Sequence, residues 1–191
     1  MKKGQLTILL VLLMCCCCCS SSVGAYFLMP SGPPKGRYVK LEQTVAYDAN
    51  ATKDNGTAGD VNDKNRIINL AELEVFDAND TNLAAGKTVT GSSQHSSTHG
   101  FIRLTDGNKT NMAHTKGRAE EEIDYLQVDL GSEQEIKKLV ITNRTTCCKS
   151  RAIGIKAVIL ADDGTTVVKE TPVIAVMADT YTLTFPENTW S

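Results

Sequence analysis

The chain has few aromatic residues and almost no net charge, and both shortages limit what it can be. Aromatic residues make up only 5% of its 191 residues, whereas hydrophobic residues as a whole make up 41%. The core of one domain of this length must therefore be built mainly from aliphatic side chains. The formal net charge of −2 provides no basic surface of the kind that binds nucleic acid, so we expect no nucleic-acid partner.

The chain also lacks the short motifs that mark common enzymes and zinc sites. It contains no G-x-S-x-G nucleophile elbow, no H-E-x-x-H pair and no phosphate-binding loop. Its histidines, His95, His99 and His114, are too dispersed in the sequence for a zinc signature, and the cysteines do not have zinc-site spacing. The sequence therefore predicts no catalytic residues and no enzyme.

Residues 1–29 predict a targeting segment. Lys2 and Lys3 precede Leu6 to Met29, an uncharged and mostly apolar run of 24 residues. A membrane-spanning helix needs about 20 residues, so the segment is either a signal anchor, which its length favours, or a cleaved signal peptide. The positive-inside rule then puts the rest of the chain on the extracytoplasmic side, at a cell or virion surface, or in a secreted product after cleavage.

Beyond a Pro- and Gly-containing spacer at 30–36, short alternating runs replace helical periodicity. Two runs alternate apolar with polar residues, at Leu126, Val128 and Leu130 and at Tyr181, Leu183 and Phe185. Asp163-Gly164 has the sequence of a hairpin turn, and residues 47–64 read as a long polar loop. The pattern predicts that residues 37–191 form an all-β jelly-roll sandwich that follows the N-terminal hydrophobic helix.

The stretch NRTTCCKSR, Asn143 to Arg151, contains two adjacent cysteines between two arginines. Consecutive Cα atoms are about 3.8 Å apart, below the usual range for a disulfide. A bond between Cys147 and Cys148 would close a strained ring and form a small, rigid, apolar knob. The alternatives are two free thiols, or a thiol enzyme that uses one of these cysteines together with His114.

Six segments of the chain carry a family resemblance when they are taken together: Asn82 to Ser93 (NLAAGKTVTGSS), Leu104 to Asn108 (LTDGN), Tyr125 to Gly131 (YLQVDLG), Ile136 to Arg144 (IKKLVITNR), Gly36 to Leu41 (GRYVKL) and Leu70 to Phe76 (LAELEVF). Together they resemble the discoidin family, also called coagulation factor 5/8 type C or galactose-binding-like domains. The NR-x-x-CC-x-x-R run narrows the resemblance to the fucolectin branch, the F-type lectins. The resemblance covers nearly everything after Pro30 and implies a galactose-binding-like β-sandwich.

The order of these segments differs from that of the family. GRYVKL and LAELEVF are closing strands in the family, whereas here they come first and the chain stops after TYTLTFPENTW. A circular permutation explains this order, since the termini of a domain often lie close together. The alternative is a fragment of a tandem array, although every piece of one domain occurs once.

The resemblance implies a sugar-binding site. In fucolectins a histidine and two arginines hold the sugar, and these positions match His114, Arg144 and Arg151. Adjacent cysteines form a disulfide platform against the apolar side of the sugar ring, which implies the same role for Cys147 and Cys148. The expected partners are glycans, with fucosylated ones foremost.

The resemblance also implies a structural calcium ion. The TDGN loop offers oxygen ligands of the kind that calcium prefers. Ligands would come from Asp106, the main-chain carbonyls of Arg103 and Asn108, Asn111, and Glu72 if its strand pairs as in the family. The alternative is an ordinary Asp-Gly turn without a metal.

Three departures from the family bear on the sugar site. Thr146 stands where the family usually has an aspartate that supports the arginine geometry. The loop from Asp106 to His114 is shorter than in fucolectins and lacks aromatic residues, and Met112 is its nearest apolar substitute. Glycosylation sequons at Asn108 and Asn143 fall within the proposed site, and a glycan there would block it.

The sequence therefore predicts a membrane-anchored, calcium-dependent, fucose-type lectin that attaches to glycans on cell surfaces. The alternative is a structural or protein-binding discoidin module whose sugar site is degenerate. The N-terminal hydrophobic segment would supply the contact with the membrane.

Overall fold

The computed structural model describes residues 32–44, 67–116 and 123–191, and Gly32–Ser191 form one compact unit. The predicted targeting segment at 1–29 and the polar loop at 47–64 lie outside the described residues. Within the described ranges, no helix has both the length and the hydropathy needed to cross a membrane.

The described residues form nine β-strands with short 3-10 helices between them. The strands are β1 (Lys35–Gln43), β2 (Asn69–Phe76), β3 (Val89–Gly91), β4 (Ala113–His114), β5 (Asp124–Glu135), β6 (Lys138–Asn143), β7 (Ile155–Leu160), β8 (Val167–Glu170) and β9 (Thr180–Thr184). The 3-10 helices are Ser97–His99, Phe101–Leu104 and Lys149–Ala152. β1 begins within the predicted spacer, so the last two spacer residues, Lys35 and Gly36, belong to the strand.

The strands form two antiparallel sheets. One has the order β3-β5-β1-β7-β8 and the other the order β4-β2-β6-β9. The two strands that come first in the chain are therefore internal, since β1 pairs with both β5 and β7, and β2 pairs with both β4 and β6. The prediction of an all-β sandwich is confirmed.

The core is aliphatic, as the composition requires. Alternate residues of β1, β5 and β7 in one sheet, and of β2, β6 and β9 in the other, join a single buried cluster. Leu126, Val128 and Leu130 are at most 3% exposed, as the alternation of their run predicts. Burial of such aliphatic side chains is the main favourable contribution to folding.

The β7–β8 connection confirms the predicted hairpin turn. Gly164 has φ +71°, a conformation that side chains with a Cβ rarely adopt. Asp163 closes the turn because its Oδ1 accepts hydrogen bonds from the main-chain N–H groups of Thr165 and Thr166, both at 2.8 Å. The turn lies at the end of β7 opposite to Ile155.

Strand register brings distant polar residues together at one end of the smaller sheet. Asn69, at the start of β2, pairs with His114 of β4, and Leu70 pairs with Asn143 at the end of β6. Because Arg144 follows β6 directly, its side chain lies beside the same sheet end. The register between β2 and β6 then shifts between Leu70 and Glu72, and such a β-bulge redirects the following side chains.

Candidate functional site

His114, Arg144 and Arg151 lie together, although they come from β4, the residue after β6 and the 3-10 helix Lys149–Ala152. Arg151 Nη1 lies 3.3 Å from His114 Nε2. His114 and Arg151 are 7% and 6% exposed, whereas Arg144 is half-buried. The structure thus brings the three predicted sugar-binding side chains into one cluster.

His114 is held as a neutral imidazole. Its Nδ1 lies at hydrogen-bond distance from the main-chain carbonyl oxygen of Thr115, which can only accept, so the proton is assigned to Nδ1. Nε2 is then an acceptor and faces the Arg151 guanidinium. Burial, together with the charges of nearby His95, Arg151 and Arg144, lowers the pKa of His114 to about 4.

Asn69 joins the two arginines. Its amide is assigned with Oδ1 toward the guanidinium groups because both facing atoms are donors. In that orientation Oδ1 accepts from Arg144 Nη1 at 3.1 Å and from Arg151 Nη1 at 3.2 Å. Asn69 is not among the residues predicted from the sequence; its signal is a polar amide in the apolar run INLAELEVF, and it is 0% exposed.

The Arg144 side chain is also held by Thr146, the residue that departs from the family. Arg144 Nε donates to Thr146 Oγ1 at 2.9 Å. A neutral hydroxyl therefore makes the contact that the resemblance assigns to an aspartate. The orientation of Arg144 is supported, but the positive charge has no negative partner in Thr146.

Asn143 stabilises the loop at residues 144–151, which is called the arginine loop because it begins with Arg144 and ends with Arg151. It is 1% exposed, and its Nδ2 donates to the carbonyl oxygens of Lys149 at 3.0 Å and Ala178 at 2.8 Å. Its Oδ1 accepts from the N–H of Arg144 at 2.8 Å. A glycan on Asn143 is incompatible with this buried, hydrogen-bonded amide, because attachment would break these contacts.

Gln43 fixes the main chain beneath Arg151 from the end of β1. Its Nε2 donates to the carbonyl oxygens of Arg151 at 2.7 Å and of Ile153 at 3.1 Å. The Gln43 side chain is 3% exposed, so these bonds are shielded from water and hold the short helix against the larger sheet.

Cys147 and Cys148 are half-buried, and no disulfide joins them. The bond expected between them is therefore not formed in the structure. Cys148 has φ 62° and ψ 29°, the left-handed conformation, and immediately precedes the 3-10 helix. This uncommon conformation turns the chain sharply between the two arginines, so the pair occupies the bend of the loop with or without a sulfur–sulfur bond.

His95 and His99 also lie at this site, which the sequence analysis did not predict. The His95 ring centroid lies 4.5 Å from that of His114, and the His99 centroid lies 5.8 Å from it. A bridge between Gln94 and Thr115 brings the segment alongside β4. This long-range pairing has no local signal in the sequence, apart from the recurrence of histidine in the loop QHSSTHG.

The pKa of His99 is lowered by burial and by the charges of His95, Arg103 and Arg144. The histidines do not form a metal centre: in residues 32–44, 67–116 and 123–191, no three side chains of His, Cys, Asp or Glu are arranged to hold a metal ion. Within the cluster, the lowered pKa values keep His99 and His114 neutral at pH 7.

Three of the predicted calcium ligands, Glu72, Asp106 and Asn111, lie at or against the TDGN loop. Glu72 is 1% exposed, and its Oε1 accepts from the N–H of Gly107 at 3.1 Å. Asp106 accepts from the N–H of Asn108 at 2.9 Å and from Asn111 Nδ2 at 2.7 Å. Glu72 therefore reaches the TDGN loop, as the resemblance required of its strand.

Two oxygens at this loop are buried without a hydrogen-bond partner, Glu72 Oε2 and Asn111 Oδ1. Burial raises the pKa of Glu72 to about 7, and the nearby carboxylate of Asp106 adds to the rise. Arg103 lies in the 3-10 helix Phe101–Leu104 that precedes the loop, and Asn108 lies exposed in the loop itself. A buried carboxylate oxygen without a donor is unfavourable unless a proton or a cation meets it.

Part of the chain matches a known family. Residues 103–190 match the F5/F8 type C family described as NedA-like, galactose-binding domain. Comparison with curated proteins and with solved structures finds no match. The matched residues include β4 to β9 and the arginine loop. The match supports a discoidin-like domain, a class of module that binds carbohydrate or protein partners.

Proposed function

We propose that this protein is a carbohydrate-binding lectin whose saccharide is held by Arg144, Arg151 and His114. One observation carries the proposal: two guanidinium groups converge on one amide oxygen of Asn69, with a neutral histidine beside them. Guanidinium groups donate in a fixed planar array, which suits the hydroxyl and ring oxygens of a sugar.

Each residue has a chemical role in this proposal. The arginine N–H groups donate to sugar oxygens. His114 keeps its proton on Nδ1, so Nε2 can accept from a sugar hydroxyl that takes the place of Arg151 Nη1. Cys147 and Cys148, at the bend between the arginines, offer polarisable sulfur surface to the apolar side of the ring. Fucose-type specificity rests on the resemblance of the Asn143 to Arg151 run to fucolectins.

A calcium ion fits the TDGN loop. Glu72 Oε2 and Asn111 Oδ1 are buried acceptors without a donor, and hard oxygen ligands of this kind suit calcium. Asp106 and the main-chain carbonyls of Arg103 and Asn108 would complete the set, and the bound ion would order the loop that leads to β4 and His114. Lys109 already ties this loop to β2 through Glu74, at 2.7 Å.

Thermal unfolding tests the calcium proposal. Added calcium should raise the Tm of the full chain at pH 7.5, and Glu72→Gln should abolish the increase because it removes the buried negative charge. Glu74→Gln is the matched control, since Glu74 already pairs with Lys109. An equal rise of Tm in wild type and Glu72→Gln would exclude Glu72 as a ligand.

We also infer that the domain is circularly permuted. The family match covers 103–190. The strands within the match do not fill either sheet, because each sheet has one internal strand that comes from outside the matched residues. β1 lies between β5 and β7, and β2 lies between β4 and β6. Those two strands precede the matched residues and correspond to GRYVKL and LAELEVF, the closing strands of the family.

Residues 1–29 would anchor this domain so that it faces outward from a cell or virion and attaches to glycosylated surfaces. The charged start and the 24-residue apolar run support this assignment. Alkaline extraction of membranes from expressing cells tests it: an anchored chain stays in the membrane pellet, and a secreted one is found in the medium.

A glycan array probed with the full chain, with and without a calcium chelator, tests the proposed function. We expect binding to a defined set of glycans, with fucosylated ones foremost, and weaker binding after chelation. Absence of binding to every glycan with calcium present would contradict the proposal.

A second candidate is a structural or protein-binding discoidin module. Thr146 in place of an acid and the short loop without aromatic residues favour it, because both reduce the contacts available to a sugar. The double substitution Arg144→Ala and Arg151→Ala discriminates the two. Cell-surface attachment that survives it, in a protein that remains folded, would favour the protein-binding function.

A further inference from the structure

Two arginines of this protein have opposite electrostatic settings. Arg37 donates to both carboxylate oxygens of Asp129, at 2.8 and 2.9 Å, and to Asp162 at 3.0 Å. Arg144 donates instead to the Thr146 hydroxyl and the Asn69 amide oxygen, both uncharged. Among the described residues, no carboxylate lies within ion-pair distance of Arg144.

The acidic residues near the arginine loop are engaged elsewhere. Asp179 pairs with Lys149 at 2.5 Å. Asp124 is 0% exposed and accepts hydrogen bonds from the hydroxyl groups of Ser92 and Thr115. Their negative charges are therefore committed to a lysine and to a buried hydroxyl network, and not to Arg144.

In the part of the chain that the structure describes, the groups that contact or neighbour Arg144 are neutral or positive. Burial is the main cause that lowers the pKa of His99 and of His114, and the charge of Arg144 lowers both further, with Arg103 acting on His99 and Arg151 on His114. These neighbours add positive charge near Arg144 and offer it no negative partner. A half-buried guanidinium in such a setting gains from a negative partner.

We propose that the saccharide bound at this site carries an anionic group, a carboxylate or a sulfate, that pairs with Arg144. This inference rests on the proposed lectin function and names the class of ligand. A guanidinium binds a planar carboxylate or two oxygens of a sulfate through two parallel hydrogen bonds. The sugar's other oxygens accept from Arg151, and a sugar hydroxyl donates to Nε2 of His114.

Matched pairs of saccharides test the inference with the full chain. Each pair has the same neutral core, with and without one acidic group, and separate arms carry a terminal carboxylate sugar or a sulfate ester. We expect at least roughly 10-fold tighter binding of the acidic member in one arm, corresponding to one charge-assisted contact, and a preference that shrinks as salt rises. The arm that shows it identifies the source of the charge.

A charge substitution gives a second readout that does not depend on absolute affinity. Thr146→Asp places a carboxylate beside Arg144 Nε and should reduce the acidic-to-neutral affinity ratio to about one, since the guanidinium is then paired. Thr165→Asp is the matched control, an exposed threonine in the β7–β8 turn, at the other end of β7 from Arg151. It adds the same charge and should leave the ratio as in wild type.

The outcomes separate the inference from the proposed function. Equal binding of acidic and neutral members in both arms would overturn the anionic preference and leave the lectin function standing. Absence of binding to any saccharide would contradict both. A ratio that falls equally in Thr146→Asp and Thr165→Asp would show a general charge effect and would overturn the assignment to Arg144.

Discussion

Arg37 and Arg144 lie toward opposite ends of the sandwich and show how partners decide what an arginine does. Arg37, near the start of β1, is clamped by Asp129 and Asp162. At the other end of β1, Gln43 supports the loop from which Arg144 and Arg151 meet Asn69. Carboxylates neutralise Arg37 and occupy its donors, whereas amide and hydroxyl partners orient Arg144 and leave its charge for a ligand.

Among the substitutions that test this difference, loss of Arg144 should have the largest effect on glycan affinity. Arg144→Gln removes charged donors, each worth about 1.5–3 kcal/mol, so affinity for the best-bound glycan should fall roughly 100-fold or more. Arg37→Gln is the matched control and should leave glycan affinity unchanged. Surface plasmon resonance on both variants measures this, and equal losses would mean that the two arginines do not differ in function.

Acid should lower the stability of the folded protein through His114, and this effect should be smaller than the loss of glycan binding in Arg144→Gln. The pKa of His114 is about 4 in the folded protein, below its ordinary value of roughly 6.5. The unfolded chain therefore binds the proton first, and the stability due to neutral His114 is lost as pH falls from 6.5 toward 4.

Between pH 7 and 4.5 this loss should amount to roughly 2 kcal/mol. Urea unfolding of wild type and His114→Gln at several pH values isolates it, because other titrating groups are common to both proteins. The stability advantage of wild type should shrink as pH falls. Parallel curves would mean that His114 titrates normally.

Asn69→Asp would give Arg144 and Arg151 a carboxylate partner, like the one that Arg37 has in Asp129. The side chains are nearly isosteric, so the fold should be kept. Affinity for the best-bound glycan should fall by about 10-fold, since the new charge competes for the donors. Titration calorimetry measures the change, and unaltered affinity would contradict a ligand role for the paired guanidiniums.

The smallest effect should be that of Arg37→Gln on stability. The Arg37 side chain and its acidic partners are partly exposed, and such ion pairs contribute little because water and salt screen them. We expect a slight decrease in Tm that disappears at high salt. A large decrease in Tm that does not depend on salt would mean that the ion pairs of Arg37 with Asp129 and Asp162 are a major source of stability.

Much of the fold could be predicted because alternation of apolar residues is a local signal. The run at Leu126, Val128 and Leu130 and the turn at Asp163-Gly164 are examples. The grouping of His114 with Arg144 and Arg151 was expected from a resemblance and not from periodicity. Their meeting depends on the register of β4, β2 and β6, which no short window of sequence contains.

The rest of the site depends on long-range pairing and burial. Asn69 reaches the arginines only because β2 pairs with β4 and β6. His95 and His99 join His114 through the bridge at Gln94. Asn143 has the sequence of a glycosylation sequon, but its burial makes it a scaffold, and burial is a property of the folded chain.

A crystal structure of the full chain with the best-bound glycan tests the central claim most directly. The account predicts sugar oxygens within hydrogen-bond distance of both Arg144 and Arg151, with the apolar side of the ring against Cys147 and Cys148. A glycan bound elsewhere, such as beside Arg37 and the β7–β8 turn, with the Arg144 donors still satisfied by Asn69 and Thr146 alone, would contradict it.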